Sequence, residues 1–119
     1  LVVAGAQVPA GSYTAELLRR LGLERVLDSV ASREPDVKGV VGKVALGEAD
    51  AGFVYATDAR AAADGVEPID LPDRAQPEVT YAAAVATRPR DPEAAEAFLA
   101  ELLGSRGRAR LAEAGFTVP

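Results

Sequence analysis

The sequence predicts an α/β fold: a mostly parallel sheet flanked by helices. Short apolar runs recur as strand candidates at LVVA (1–4), AGFVY (51–55) and VTYAAAVAT (79–87). The stretches between and after them carry helical periodicity, and that alternation of strand and helix defines the α/β class. With 119 residues, 49% of them hydrophobic, the chain can bury the core of one domain but not of two full ones.

The elements follow in order. LVVA reads as a buried strand. The periodicity predicts a helix from about Ser12 to Leu21, with Tyr13, Leu17, Leu18 and Leu21 on one face and Glu16, Arg19 and Arg20 on the other. Glu16 and Arg20 have the spacing of an i,i+4 ion pair, and Gly22 suits the residue just past a helix end. Leu23 to Leu27 predicts one more helical turn, and SVASRE (29–34) a short strand. The second helix lies within EPDVKGVVGKVALGEAD (34–50), where Pro35 discourages helix before it, Asp36 caps it and Gly47 ends it. Gly39 and Gly42 lower its intrinsic propensity, so it must rely on packing.

AGFVY is then a buried strand, TDARAAA (57–63) a short helix capped by Thr57, and VEPIDL (66–71) an edge-like strand carrying a proline. DRAQPE is a polar loop before the long apolar strand VTYAAAVAT. Asp91 as cap and Pro92 at the first helical position open the helix DPEAAEAFLAELLGS. RGRARLAEAG is a last helix and FTVP a tail; no internal repeat is visible.

Composition excludes several kinds of chemistry. Thirteen Lys and Arg stand against 18 Asp and Glu, a formal charge of -5 with no basic cluster, so nucleic acid is not an expected partner. The chain has no His, Cys, Met or Trp, which removes imidazole and thiolate metal sites, cysteine nucleophiles, His-dependent triads and disulfides. No oxygen-rich metal loop is evident: Glu48 and Asp50 read as a solvated turn, and Glu67 and Asp70 have no convergent partners. Lys38 and Lys43 read as surface groups. No remaining nucleophile has a visible base, so an enzyme is not expected. No apolar run approaches the length of a membrane span. The opening LVVAG, in place of a methionine or a secretory signal, suggests the interior of a longer protein.

Two helix entrances and one strand end are the candidate binding positions. The first N–H groups of a helix lack intrahelical acceptors, and the helix dipole adds about half a positive charge there. At Pro9-Ala10-Gly11-Ser12 and at Pro35-Asp36-Val37-Lys38 an anion could take those donors, and small residues at the first mouth would let it approach closely. Tyr55, the last residue of AGFVY, would place a phenol at a strand terminus, where α/β sheets usually bind ligands. Taken locally, the ordinary reading is favoured at each position: a capped helix start at the two entrances and a packed tyrosine at Tyr55.

Together, VPAGSY, EPDVKG, GEADAGFVYATDA, YAAAVA and the ending DPEAAEAFLAELLGSRGRARLAEAGF resemble the bacterial periplasmic molybdate-binding proteins of ABC transporters, which are two-lobed, type II solute-binding proteins. VPAGSY with DVKG and VYATDA in this order is the most specific part. The resemblance covers the whole chain but only about the second half of the family's. It implies a three-layer lobe with a mostly parallel sheet: residues 1–78 as the second ligand-binding lobe, 79–90 as a hinge-crossing strand and linker, and 91–119 as helices that pack on the first lobe. It implies molybdate or tungstate as ligand, held as an oxyanion by neutral donors, with no cofactor and no metal ligation. Carried over by position, those donors are the Ala10 and Val37 amides and the Tyr55 hydroxyl. It further implies a membrane ABC permease as partner and a periplasmic or extracytoplasmic location, compatible with surface anchoring. Two other readings stay open: a receptor for another tetrahedral oxyanion such as sulfate, and the oxyanion-sensing lobe of a transcriptional regulator. Phe98, Leu99, Leu102 and Leu103, followed by Leu111 and Phe116, form an apolar stripe that predicts self-association of an isolated half.

Overall fold

In the computed structural model, which describes residues 1–118, the opening apolar run forms a strand, β1 (Val2–Ala4), with all three residues buried. It pairs in parallel with β2 (Ser32–Glu34), Val2 opposite Ser32 and Ala4 opposite Glu34. A parallel pair needs a crossover connection. Here it is a helix, α1 (Pro9–Arg20), followed by a 3₁₀ segment, Glu24–Ser29. This β-α-β unit makes the chain an α/β protein.

The α1 helix starts at Pro9 rather than Ser12, because proline fits a first helical position where its missing N–H is no loss. Its buried residues, Ala10, Gly11, Thr14, Leu17 and Leu18, recur at the spacing of one helix face. The buried Thr14 hydroxyl donates to the Ala10 carbonyl at 2.7 Å. Glu16 and Arg20 form the expected ion pair on the outer face. A Cβ on Gly11 would lie 2.0 Å from the Gly5 carbonyl oxygen, so glycine alone lets α1 approach the end of β1 this closely.

A second helix, α2 (Val37–Ala45), follows β2. The Asp36 carboxylate accepts from the Gly39 N–H at 2.9 Å, the expected cap. Val40 is fully buried, and Gly47 ends the helix in the left-handed region at φ 73°. The short helix α3 (Ala56–Ala61) starts earlier than expected: Tyr55, on extended backbone, is its cap residue, and Thr57 lies inside the helix.

Two apolar clusters make the core. Val2, Ala4, Ala10 and Val40 form one, with Val8, Val37, Val44, Ala49, Val54 and Tyr55 packed against it. Leu17, Leu18 and Ala75 form the other, joined by Leu21, Val26, Leu27, Phe53 and Leu71. The polar loop after residue 71 is therefore anchored: Ala75, in a 3₁₀ turn (Asp73–Ala75), is wholly buried. Arg20 Nη1 donates to the Gln76 carbonyl at 2.6 Å, and Gln76 Nε2 to the Leu71 carbonyl at 3.0 Å.

Three predicted strands are not formed among the described residues. AGFVY makes a single parallel bridge, Gly52 to Val2, with the Val2 N–H donating to the Ala51 carbonyl at 2.9 Å. Its backbone still sends Phe53 and Val54 to opposite clusters, as an extended segment does. VEPIDL is irregular and mostly exposed, and VTYAAAVAT is irregular and exposed throughout. A strand exists only in a ladder, and no described residue offers either run one.

The chain divides into two compact units, Leu1–Glu78 and Val79 onward. In the second, α4 (Pro92–Leu103) is capped by Asp91, whose carboxylate accepts from the Ala94 N–H at 2.9 Å. Gly104 separates it from α5 (Ser105–Glu113), which packs against it. Tyr81 and Phe116 meet edge-to-face with centroids 5.5 Å apart. No described residue of this unit is buried, and Phe98 and Leu103 are 65% and 59% exposed. No described helix is long and apolar enough to cross a membrane.

Candidate functional site

The entrance of α1 leaves one donor open. Pro9 has no N–H, while those of Gly11 and Ser12 both donate to the Val8 carbonyl, at 3.0 and 3.2 Å. Val8, the cap residue, offers no side-chain acceptor. The Ala10 N–H is thus without an acceptor among the described residues, on a residue only 8% exposed. At α2, Asp36 takes the Gly39 N–H and not that of Val37, which likewise has no acceptor among the described residues. Both are first-turn positions, where the helix dipole favours negative charge.

Tyr55 stands where the extended 51–55 segment meets α3, and its carbonyl accepts from the Asp58 and Ala59 N–H groups at 3.0 and 3.1 Å. Its ring is set edge-to-face against Tyr13 of α1, with centroids 6.3 Å apart and planes at 72°. The structure brings the three sequence-predicted positions together. Ala10, Val37 and Tyr55, with Val8, Pro9 and Asp36, line one concavity of about 290 Å³. β1 is the reason: α1, α2 and the segment before Tyr55 all pack around the cluster built on Val2 and Ala4.

No lysine or arginine lines this concavity. Asp36, which the sequence marks only as a cap, lines it as well. Tyr13 was also missed as a site neighbour; its signal was its place three residues after Ala10, one turn along the same face. Glu48, Asp50, Glu67 and Asp70 are exposed and lie outside the concavity. Among the described residues no group of three or more acidic side chains could hold a metal ion.

Lys43 departs from the expected surface group. Its Nζ lies 2.8 Å from Glu34 Oε1 and donates to Ser32 Oγ at 3.0 Å, while Ser32 Oγ donates to Glu34 Oε1 at 2.6 Å. The hydrogen bond from Lys43, then that from Ser32, holds the Glu34 carboxyl below its ordinary range. This network ties α2 to β2 just ahead of the helix entrance that carries Val37.

A strand-helix-strand unit with two helix entrances around one concavity places the chain in the α/β class. Residues 1–117 match the family model of the bacterial extracellular solute-binding proteins, and the chain belongs to that family. Among curated relatives, the molybdate-binding protein ModA of Mycobacterium tuberculosis is 37% identical over 119 residues, all of this chain and 44% of the relative. The protein of the same name from Escherichia coli is 32% identical over 112 residues, covering 93% of this chain and 43% of its own length. That of Haemophilus influenzae is 46% identical over 56 residues, or 46% of this chain and 22% of the relative. The chain therefore spans less than half the length of these relatives. No solved structure matches it.

Proposed function

We propose that this chain supplies half of the binding site of a receptor for molybdate or tungstate, a transport protein and not an enzyme, working with an ABC permease in bacterial uptake from the periplasm. The observation that carries the reading is the convergence of the Ala10 and Val37 amides and Tyr55 on one concavity without a cationic side chain. Neutral donors aimed from two helix entrances suit a dianion and neutralise it without a counter-ion. The relatives' names point to the same ligand.

In this reading the first unit is the second ligand-binding lobe, a three-layer type II lobe whose sheet the β-α-β unit begins. Residues 79–90 cross the hinge, and 91–119 pack on the first lobe. The exposure of VTYAAAVAT, Phe98 and Leu103 supports this, since a first lobe packed on them would take these apolar side chains out of water. Ligand in the cleft would favour the closed receptor, because only there do donors of both lobes reach it.

Calorimetric titration of the natural protein carrying this chain with molybdate, tungstate, sulfate and phosphate tests the reading. Molybdate and tungstate are expected to bind and to exclude the other two. Replacing Tyr55 by Phe is expected to weaken binding about ten- to a hundredfold, the worth of one hydrogen bond to a charged group. Preference for sulfate would reassign the ligand, and unaltered affinity in Tyr55→Phe would remove Tyr55 from the site.

A further inference from the structure

We propose that Tyr13 is a positioning residue, whose ring holds the Tyr55 hydroxyl toward the concavity lined by Ala10 and Val37. The inference rests on the reading that this concavity takes an oxyanion. Tyr13 lies one helical turn after Ala10, so α1 presents both an open amide and an aromatic wall on neighbouring positions. The 6.3 Å separation and 72° angle of the two rings fall in the favourable edge-to-face range.

Tyr55 sits at a junction between an extended segment and a six-residue helix, and it also packs against the small cluster of Val2, Ala4, Ala10 and Val40. The direction of the phenol depends on χ1, and a neighbouring ring edge selects among its staggered wells. The position of Tyr13 is itself set by α1, which Gly11 seats against the Gly5 carbonyl. One rigid helix thereby sets two donors: the Ala10 N–H through its backbone and the Tyr55 hydroxyl through Tyr13.

The experiment is a double-mutant cycle on the natural protein carrying this chain, read as molybdate affinity by calorimetry, with thermal unfolding of each variant alongside. Tyr13→Phe keeps the ring and is expected to bind as the wild type does. Tyr13→Leu is expected to lose about three- to tenfold in affinity, the scale of one aromatic pair. In a Tyr55→Phe background, where the hydroxyl is gone, Tyr13→Leu is expected to cost nothing more. An equal loss in both backgrounds would overturn the proposal, because Tyr13 would then act through helix packing. Wild-type affinity in Tyr13→Leu would overturn it too. Should Tyr13→Leu fail to fold, Tyr13→Met, ringless and flexible, is read by the same criteria. A wild type that binds no oxyanion would remove the reading of the site and this proposal with it; intact binding with an insensitive Tyr13 removes this proposal alone.

Discussion

At the scale of single residues, two helix glycines that look alike in sequence carry opposite burdens. Gly11 faces the Gly5 carbonyl, with 2.0 Å available for a Cβ, whereas a Cβ on Gly42 would meet nothing within 4 Å. Gly11→Ala must push one backbone segment off another and is expected to destabilise the protein by about 1–3 kcal/mol, as overpacked cores do. Gly42→Ala restricts the unfolded chain without a clash and is expected to stabilise by about 0.5–1 kcal/mol. Urea unfolding of the two variants separates them by sign. Local sequence marks Gly42 only as a weak helix former and Gly11 only as a small residue at a helix mouth, because what decides is whether another segment lies against the glycine. Tyr13 was hidden in the same way: its periodicity put it on the inner face, but only the fold shows that Tyr55 waits there.

At the scale of elements, the helices are the legible part. Asp36 and Asp91 cap α2 and α4 where the sequence says they should, and proline opens α1 and α4. What joins α2 to β2 was not legible, since Ser32 and Glu34 lie on one element and Lys43, eleven positions after Ser32, on another. The tie makes a pH prediction. The folded-state pKa of Glu34 lies below its ordinary value, so its contribution is present at neutral pH and is lost as pH falls through the folded value. Glu34→Gln is therefore expected to melt below the wild type at neutral pH, with the gap closing in acid once both side chains are uncharged. Melting curves at neutral pH and below the carboxylate range check this; a gap that widens in acid would refute it. Because α2 carries Val37, the same substitution is expected to loosen the entrance of the site.

For the whole molecule, the proposed function predicts that the 119-residue chain alone binds molybdate poorly. Losing two donors from a missing lobe, at about 1.5–3 kcal/mol each, costs about two to four orders of magnitude in affinity. Sub-micromolar binding by the isolated chain would contradict the division of the site between lobes. The exposed Val79, Tyr81, Val85, Phe98 and Leu103 lead to a second expectation. Each large apolar side chain left in water forgoes about 1.5–3 kcal/mol relative to burial. The isolated chain is therefore expected to self-associate, and truncation after Glu78 to abolish this. Sedimentation at micromolar concentration distinguishes the outcomes, and a clean monomer of the full 119 residues would end the idea.

The sequence by itself determined what depends on near neighbours. The Asp36 and Asp91 caps, the face of α1, the turn at Gly47 and the two entrances bearing Ala10 and Val37 all follow from residues within a few positions of one another. Tertiary structure alone decided what depends on distant partners. AGFVY, VEPIDL and VTYAAAVAT have strand-like composition, yet a strand is a set of hydrogen bonds to another segment, and composition does not say whether that segment is at hand. LVVA found β2 and became a strand; VTYAAAVAT found no ladder among the described residues and did not. The site divides the same way. Each open donor is a local consequence of how its helix begins, but their meeting at one concavity, with Asp36 at its wall, exists only because Val2 and Ala4 gather α1, α2 and Tyr55 around one cluster.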